Sequence, residues 1–236
     1  MELHYLSATS ALSKFKNKTL SPVELTKAII ERSEKVNPKI NAHNFTFYEE
    51  AIINAKKSEG KYFANNEKIL PLEGITLAIK DEEDIEGQPN TNGSLILKDH
   101  IATKTMVDVE RIVNSGAIIH ARTTTPEFSC TSFTHSKLWG VTRNPWNLDF
   151  TPGGSSGGSG ASLAAGCSTL ATGSDIGGSI RIPASACGLV GFKPPHGRNP
   201  QEAPFNHDQY CVVGPMARSV QDCALMQNVM SGPHPK

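Results

Sequence analysis

Two short turns, Gly153-Gly154-Ser155 and Gly177-Gly178-Ser179, stand on either side of a run of small apolar residues in the stretch Thr151 to Arg181, TPGGSSGGSGASLAAGCSTLATGSDIGGSIR. Each turn ends on a serine, whose hydroxyl can attack a carbonyl or pass on a proton. Glycines let backbone N–H groups approach and converge on a ligand, which is what holding an oxyanion requires. A solvated Gly/Ser linker has no reason to carry the apolar run Ala161 to Ala171. The pattern therefore predicts a turn, a small-residue helix, a short strand and a second turn.

Two other chemistries compete for the same stretch. Gly153-Gly154-Ser155-Ser156-Gly157 fits the nucleophile-elbow pattern G-x-S-x-G, but that motif needs a strand immediately before it, and Asn147 to Pro152 makes a poor strand. A phosphate loop needs Gly-Lys-Ser/Thr, and no lysine falls between Lys137 and Lys193. Upstream, Gly74 to Asp81 alternates apolar side chains as a strand does, with Lys80 at its C-terminal end. Open α/β sheets bind ligands beyond the carboxyl ends of their strands. A lysine serving there as a base must be neutral, and burial away from anions favours that form. Asp81 is expected to point away from it. The acidic run Asp81 to Asp84 lacks metal-ligand spacing and a histidine partner, so no metal is assigned.

GGSSGGS followed by GSDIGGSIRIPAS resembles the amidase signature family of serine hydrolases. The resemblance extends through Thr142-Arg143-Asn144-Pro145-Trp146, Gly191-Phe192-Lys193-Pro194 and Ala78-Ile79-Lys80-Asp81, and spans the chain from about Ser21 to Asn228. It implies Ser179 as nucleophile, Ser155 as bridging serine after a cis peptide bond from Gly154, and Lys80 as base. The backbone N–H groups of Ile176, Gly177, Gly178 and Ser179 are expected to hold the oxyanion. The implied activity is hydrolysis of a small-molecule carboxamide through a Ser179 acyl-enzyme, with no histidine and no cofactor. Alternatives are the glutaminase subunit of a tRNA-dependent amidotransferase, or a catalytically silent fragment. The choice of Ser155 over Ser156 rests on the family spacing. Ser156 and Ser159 read as turn residues bonded to local backbone, Ser174 and Asp175 as orienting the nucleophile loop, Arg181 as the partner of a carboxylate, and Ser185 and Cys187 as packing.

The elements that must position these residues follow from periodicity. Ser21-Pro22-Val23-Glu24 is a capped helix start, and Asn37-Pro38 is expected to stop that helix. A second helix is expected from Tyr48 to about Ser58. Met106, Val109, Ile112 and Val113 carry a helical stripe ended by Gly116, and Ala117 to Ala121 is the next strand. Short strands follow at Val190 to Phe192 and Cys211 to Val213, then a helix from Ser219 to about Val229. The fold class is α/β, a mixed sheet covered by helices, in one domain over 1–236 with N-terminal helices in 1–70 and a signature core in 71–230. Family members are considerably longer. The sheet is therefore expected to be incomplete on its C-terminal side, with an edge and apolar patch open to a second copy or to another protein as partner.

The 236 residues carry 23 basic and 23 acidic side chains, which gives no electrostatic reason for a nucleic-acid or membrane-surface partner. No apolar run approaches the roughly 20 residues of a membrane span. MELHYLSATS lacks the basic and apolar regions of a signal peptide. Five cysteines without a CxxC pair read as reduced thiols, and the expected compartment is the cytoplasm. His43 and His100 are read as structural or surface residues.

Overall fold

A computed structural model describes residues 2–64, 68–202 and 205–234. The chain opens with helices α1 (Ala8–Lys16) and α2 (Pro22–Ile40). Ser21 and Glu24 form the reciprocal capping box that the sequence announces, with Glu24 N–H donating to Ser21 Oγ at 3.1 Å and Ser21 N–H to Glu24 Oε2 at 2.8 Å. A cap of this kind contributes about 1 kcal/mol. Contrary to expectation, Asn37-Pro38 does not end α2, which carries Pro38 in its last turn and stops at a left-handed Asn41. Asn37 ends the helix from the side: its Oδ1 accepts the amides of Ala42 and His43, both at 2.8 Å, and turns the chain into β1 (His43–Thr46).

Helix α3 (Tyr48–Phe63) runs a turn beyond Ser58. Its added turn is held by tertiary contacts that a sequence pattern does not display. Lys61 pairs with Glu73 at 3.0 Å, and the Tyr62 hydroxyl donates to the Glu73 carbonyl at 3.0 Å. Next come β2 (Thr76–Lys80), α4 (Val107–Asn114) and β3 (Ile118–Thr123). A small ribbon of β4 (His135–Ser136) and β5 (Gly140–Val141) precedes α5 (Gly157–Ala164) and β6 (Leu170–Asp175). The chain continues with α6 (Arg181–Cys187), β7 (Val190–Gly191), β8 (Val212–Ala217) and α7 (Val220–Met230).

The main sheet is mixed, in the order β1-β3-β2-β6-β8-β7. β3, β2 and β6 are parallel neighbours, whereas β1, β8 and β7 pair antiparallel with theirs. β8 is longer than the Cys211 to Val213 strand expected, and runs through Pro215. A proline lacks the N–H a central strand needs. Here the β7 pairing covers only Met216 and Ala217, and at Pro215 the ladder keeps the one bond a proline can make, its carbonyl accepting from Phe192 N–H at 3.1 Å.

Strand alternation sorts the side chains of β2 onto two faces. Leu77 and Ile79 enter the larger core with Phe15, Leu25, Ile29 and Met226. Ala78 enters a smaller cluster with Ala121, Leu163, Ala171, Ile180 and Met216. Lys80 has the parity of Ala78, and so leaves the sheet on the side where α5 and α6 begin. No helix among the described residues is long and apolar enough to cross a membrane.

Candidate active site

Lys80 is fully buried at the C-terminal end of β2. Its backbone N–H is fixed by Thr172 Oγ1 of β6 at 3.0 Å. Its Nζ donates to Ser155 Oγ at 2.7 Å and to Ser174 Oγ at 2.8 Å. Ser155 stands just before α5 and follows a cis peptide bond from Gly154, as the family resemblance implied. The structure separates the two candidate serines of this turn. Ser155 takes the lysine, whereas Ser156, at the start of α5, donates through Oγ to the Ser174 carbonyl at 3.4 Å.

The two Gly-Gly-Ser turns meet. Ser156 N–H donates to the Ser179 carbonyl at 3.2 Å, which places the second turn beside the first. Ser155 and Ser179 both line a cavity of about 720 Å³ beyond the ends of β2 and β6, with Ser155 buried and Ser179 half-buried. Among the described residues their hydroxyls are not hydrogen-bonded to each other.

Asp175, the last residue of β6, shapes the second turn. Its carboxylate accepts from the amides of Gly178 at 2.7 Å, Ile180 at 3.2 Å and Arg181 at 3.3 Å. Arg181 adds a two-pronged contact through Nε and Nη2, each at 2.9 Å. Burial alone would push this carboxyl up, but the Arg181 guanidinium and the three amides outweigh it and hold Asp175 below the usual carboxylate range. The turn needs glycine at Gly178, whose φ of +123° side chains rarely adopt. Because the Gly178 amide is given to Asp175, it is not free for an oxyanion in this arrangement. Ile176, Gly177 and Ser179 are the cavity-lining residues whose amides remain for that task.

The acidic run after Lys80 disperses. Asp81 faces away from the lysine, as expected, accepting from Asn44 Nδ2 at 2.6 Å, from Thr91 N–H at 2.9 Å and from the Thr91 hydroxyl. Burial still pushes its carboxyl up. Asp84 accepts from Asn90, and no three His, Cys, Asp or Glu side chains among the described residues converge as metal ligands would. Glu82 breaks the expectation of a lysine without a nearby anion: its Oε1 lies 3.1 Å from Lys80 Nζ. Burial pushes the Glu82 carboxyl up, but Lys80, with hydrogen bonds from Ser129, Ser174 and Lys80, holds it below the ordinary range. Glu83, fully buried, is pushed well above its ordinary value by burial and by Asp108 beside it.

Other expectations are redistributed. Ser174 serves the lysine rather than the nucleophile turn. Ser159 lies inside α5, buried, with Thr123 Oγ1 at 2.7 Å instead of local backbone. Cys187 packs in the interior, but Ser185 is exposed. His43 is buried against His120, and His100 sits on the surface at the cavity rim. Sequence reading missed Glu82 and the lysine contact of Ser174. The available signal was the strand assignment itself, because the first residues past the end of β2 and the penultimate residue of its parallel neighbour β6 must crowd the lysine.

Comparison with known proteins identifies the family to which this fold belongs. The profile of the family described as Amidase matches residues 24–236. A glutamyl-tRNA(Gln) amidotransferase subunit from Carboxydothermus hydrogenoformans is 42% identical over 240 residues, covering 100% of this chain and 49% of that protein. An acylamidase from Rhodococcus erythropolis is 40% identical over 232 residues, covering 98% of this chain and 48% of that protein. The crystal structure of a bacterial aryl acylamidase of the amidase signature family superimposes with a TM-score of 0.93 at 33% identity, covering 99% of this chain and 49% of that one. The chain thus spans about half the length of the relatives it matches. With its motifs, its fold and the profile match in agreement, this chain belongs to the amidase signature family.

Proposed function

We propose that the chain carries the catalytic centre of an amide hydrolase, with Ser179 as nucleophile, Ser155 as relay and Lys80 as base. The observation that carries this reading is the 2.7 Å contact from Lys80 Nζ to Ser155 Oγ on the wall of the cavity that Ser179 also lines. In the proposed reaction Ser179 Oγ attacks the amide carbonyl while its proton passes to Ser155, and the Ser155 proton passes to neutral Lys80. The oxyanion is received by the amides of Ile176, Gly177 and Ser179; one such donor is typically worth about 2.7–4 kcal/mol. The proton then returns through Ser155 to the departing nitrogen, the C–N bond breaks, and an acyl-Ser179 ester remains. Water, activated by the same relay, releases the carboxylate.

The test is turnover of a panel of aliphatic and aryl amides by the purified chain, measuring carboxylate and amine together. Equimolar release that disappears in Ser179→Ala is the expected result. Release that survives Ser179→Ala would overturn the assignment. A second reading, glutaminase chemistry feeding a partner protein, is supported by the 42% match to an amidotransferase subunit. Turnover confined to glutamine, together with copurification of a partner, would favour it.

A further inference from the structure

A base that must accept a proton stands 3.1 Å from a carboxylate. An anion at that distance favours the ammonium form of the lysine. Glu82 is no chance surface neighbour: its side chain is 17% exposed and lines the cavity, and its carboxylate accepts the Ser129 hydroxyl. Ser129 Oγ is itself placed by Thr125 Oγ1 at 2.9 Å, so the carboxylate is held from the loop after β3 as well as from its own segment. We propose that Glu82 is a positioning residue of the relay, which holds the ammonium of Lys80 against Ser155 and stabilises the charge that arrives there when Ser179 is acylated. The proposal rests on the acyl-transfer reading above.

The consequence has two sides. For Lys80 to act as base its ammonium must first lose a proton to solvent, and a carboxylate 3.1 Å away opposes that loss. During acylation the relay returns Lys80 to the ammonium form, and Glu82 then faces the new charge at 3.1 Å. The carboxylate therefore restricts the active form at low pH and assists the step at high pH. Other charged groups bear on the pair from each side. Glu83 lies next to it in sequence, Asp108 of α4 interacts with Glu82, Arg122 of β3 donates to the Lys80 carbonyl at 3.3 Å, and Cys211 before β8 interacts with both members. Asp81 is occupied by Asn44 and Thr91.

The experiment is the pH dependence of fluorophosphonate labelling of the full chain, compared among wild type, Glu82→Gln and Glu82→Asp, each checked for folding by circular dichroism. In Glu82→Gln the acid limb moves down by about one to three pH units, and the rate on the alkaline plateau falls at least tenfold. Glu82→Asp keeps the charge and restores the position of the limb in part. A folded Glu82→Gln with an unmoved acid limb would overturn the proposal, because a merely structural role predicts loss of rate without a shift. Should wild type not label at any pH, the acyl-transfer reading fails. The pairing is then read directly by NMR titration of isotopically labelled lysine: an identical Lys80 titration in wild type and Glu82→Gln overturns it, and a downward displacement in the variant upholds the pairing.

Discussion

The Ser156 amide donates to the Ser179 carbonyl at 3.2 Å, and this one bond joins two turns that lie 24 positions apart in the repeated Gly-Gly-Ser pattern. It sets the start of α5 against the turn before α6, with Lys80 of β2 reaching Ser155 from the sheet. The bond belongs to backbone, so the meeting of the turns survives changes at either serine side chain. That makes side-chain substitutions here readable as tests of chemistry.

Ser155→Ala and Ser156→Ala should separate sharply. Ser155 is the contact of Lys80, and its removal should lower the labelling rate of Ser179 by about 10²–10⁴-fold, the usual contribution of a positioned proton carrier. Ser156 Oγ makes a long 3.4 Å contact to a carbonyl, so Ser156→Ala should change the rate less than tenfold. Second-order labelling rates check both, and equal losses would contradict the assignment of the relay.

Asp175 and Arg181 form an ion pair whose two halves are unequal. Asp175 is buried and takes three backbone amides, whereas the Arg181 side chain is 54% exposed. Asp175→Ala should cost about 1–3 kcal/mol or more through unpaired buried amides, and should suppress labelling. Arg181→Ala should cost less than about 1 kcal/mol, since an exposed pair partner is screened by solvent. Urea unfolding midpoints decide between them.

Glycine positions in the signature stretch divide by space. A Cβ on Gly158 would lie 2.4 Å from the Thr124 amide nitrogen, a backbone atom that cannot swing aside, while a Cβ on Gly177 would meet nothing within 4 Å. Gly158→Ala is expected to lose about 1–3 kcal/mol or more of stability, as overpacked interiors do. Gly177→Ala should melt close to wild type. Thermal melts of the two variants give the comparison.

Two buried imidazoles set a pH signature. Burial, with His120 beside it, pulls His43 down to about 3, and burial pulls His120 down to about 4, both from an ordinary 6.5. Between pH 6.5 and about 4 the unfolded chain therefore binds more protons at these sites, and their share of stability falls as pH falls. The slope is at most about 1.4 kcal/mol per pH unit for each. Asp108 acts in the opposite sense between 3.8 and about 6, because burial raises its carboxyl. The clean readout is a difference: the dependence of the urea midpoint on pH should flatten in His120→Gln and steepen in Asp108→Asn. An unchanged slope in His120→Gln would contradict the assignment.

Much of this was legible in the residues. The capping box at Ser21, the strand ending at Lys80 and the turn–helix–strand–turn layout of the signature stretch are local patterns, written in neighbouring side chains. What the sequence hid is tertiary. The last turn of α3 depends on Glu73, the passage of β8 through Pro215 depends on which ladder bonds it keeps, and the ion pair of Lys80 with Glu82 depends on the chain folding back after the strand. The commitment of the Gly178 amide to Asp175 is likewise a property of the folded turn.

Fluorophosphonate labelling with intact mass and peptide mapping reads whether Lys80, Ser155 and Ser179 act as one relay. One adduct on Ser179, lost in Ser179→Ala and slowed by orders of magnitude in Lys80→Ala, is the expected result. Folded protein that stays unlabelled, or an adduct that maps to Ser155 or Ser156, would contradict it.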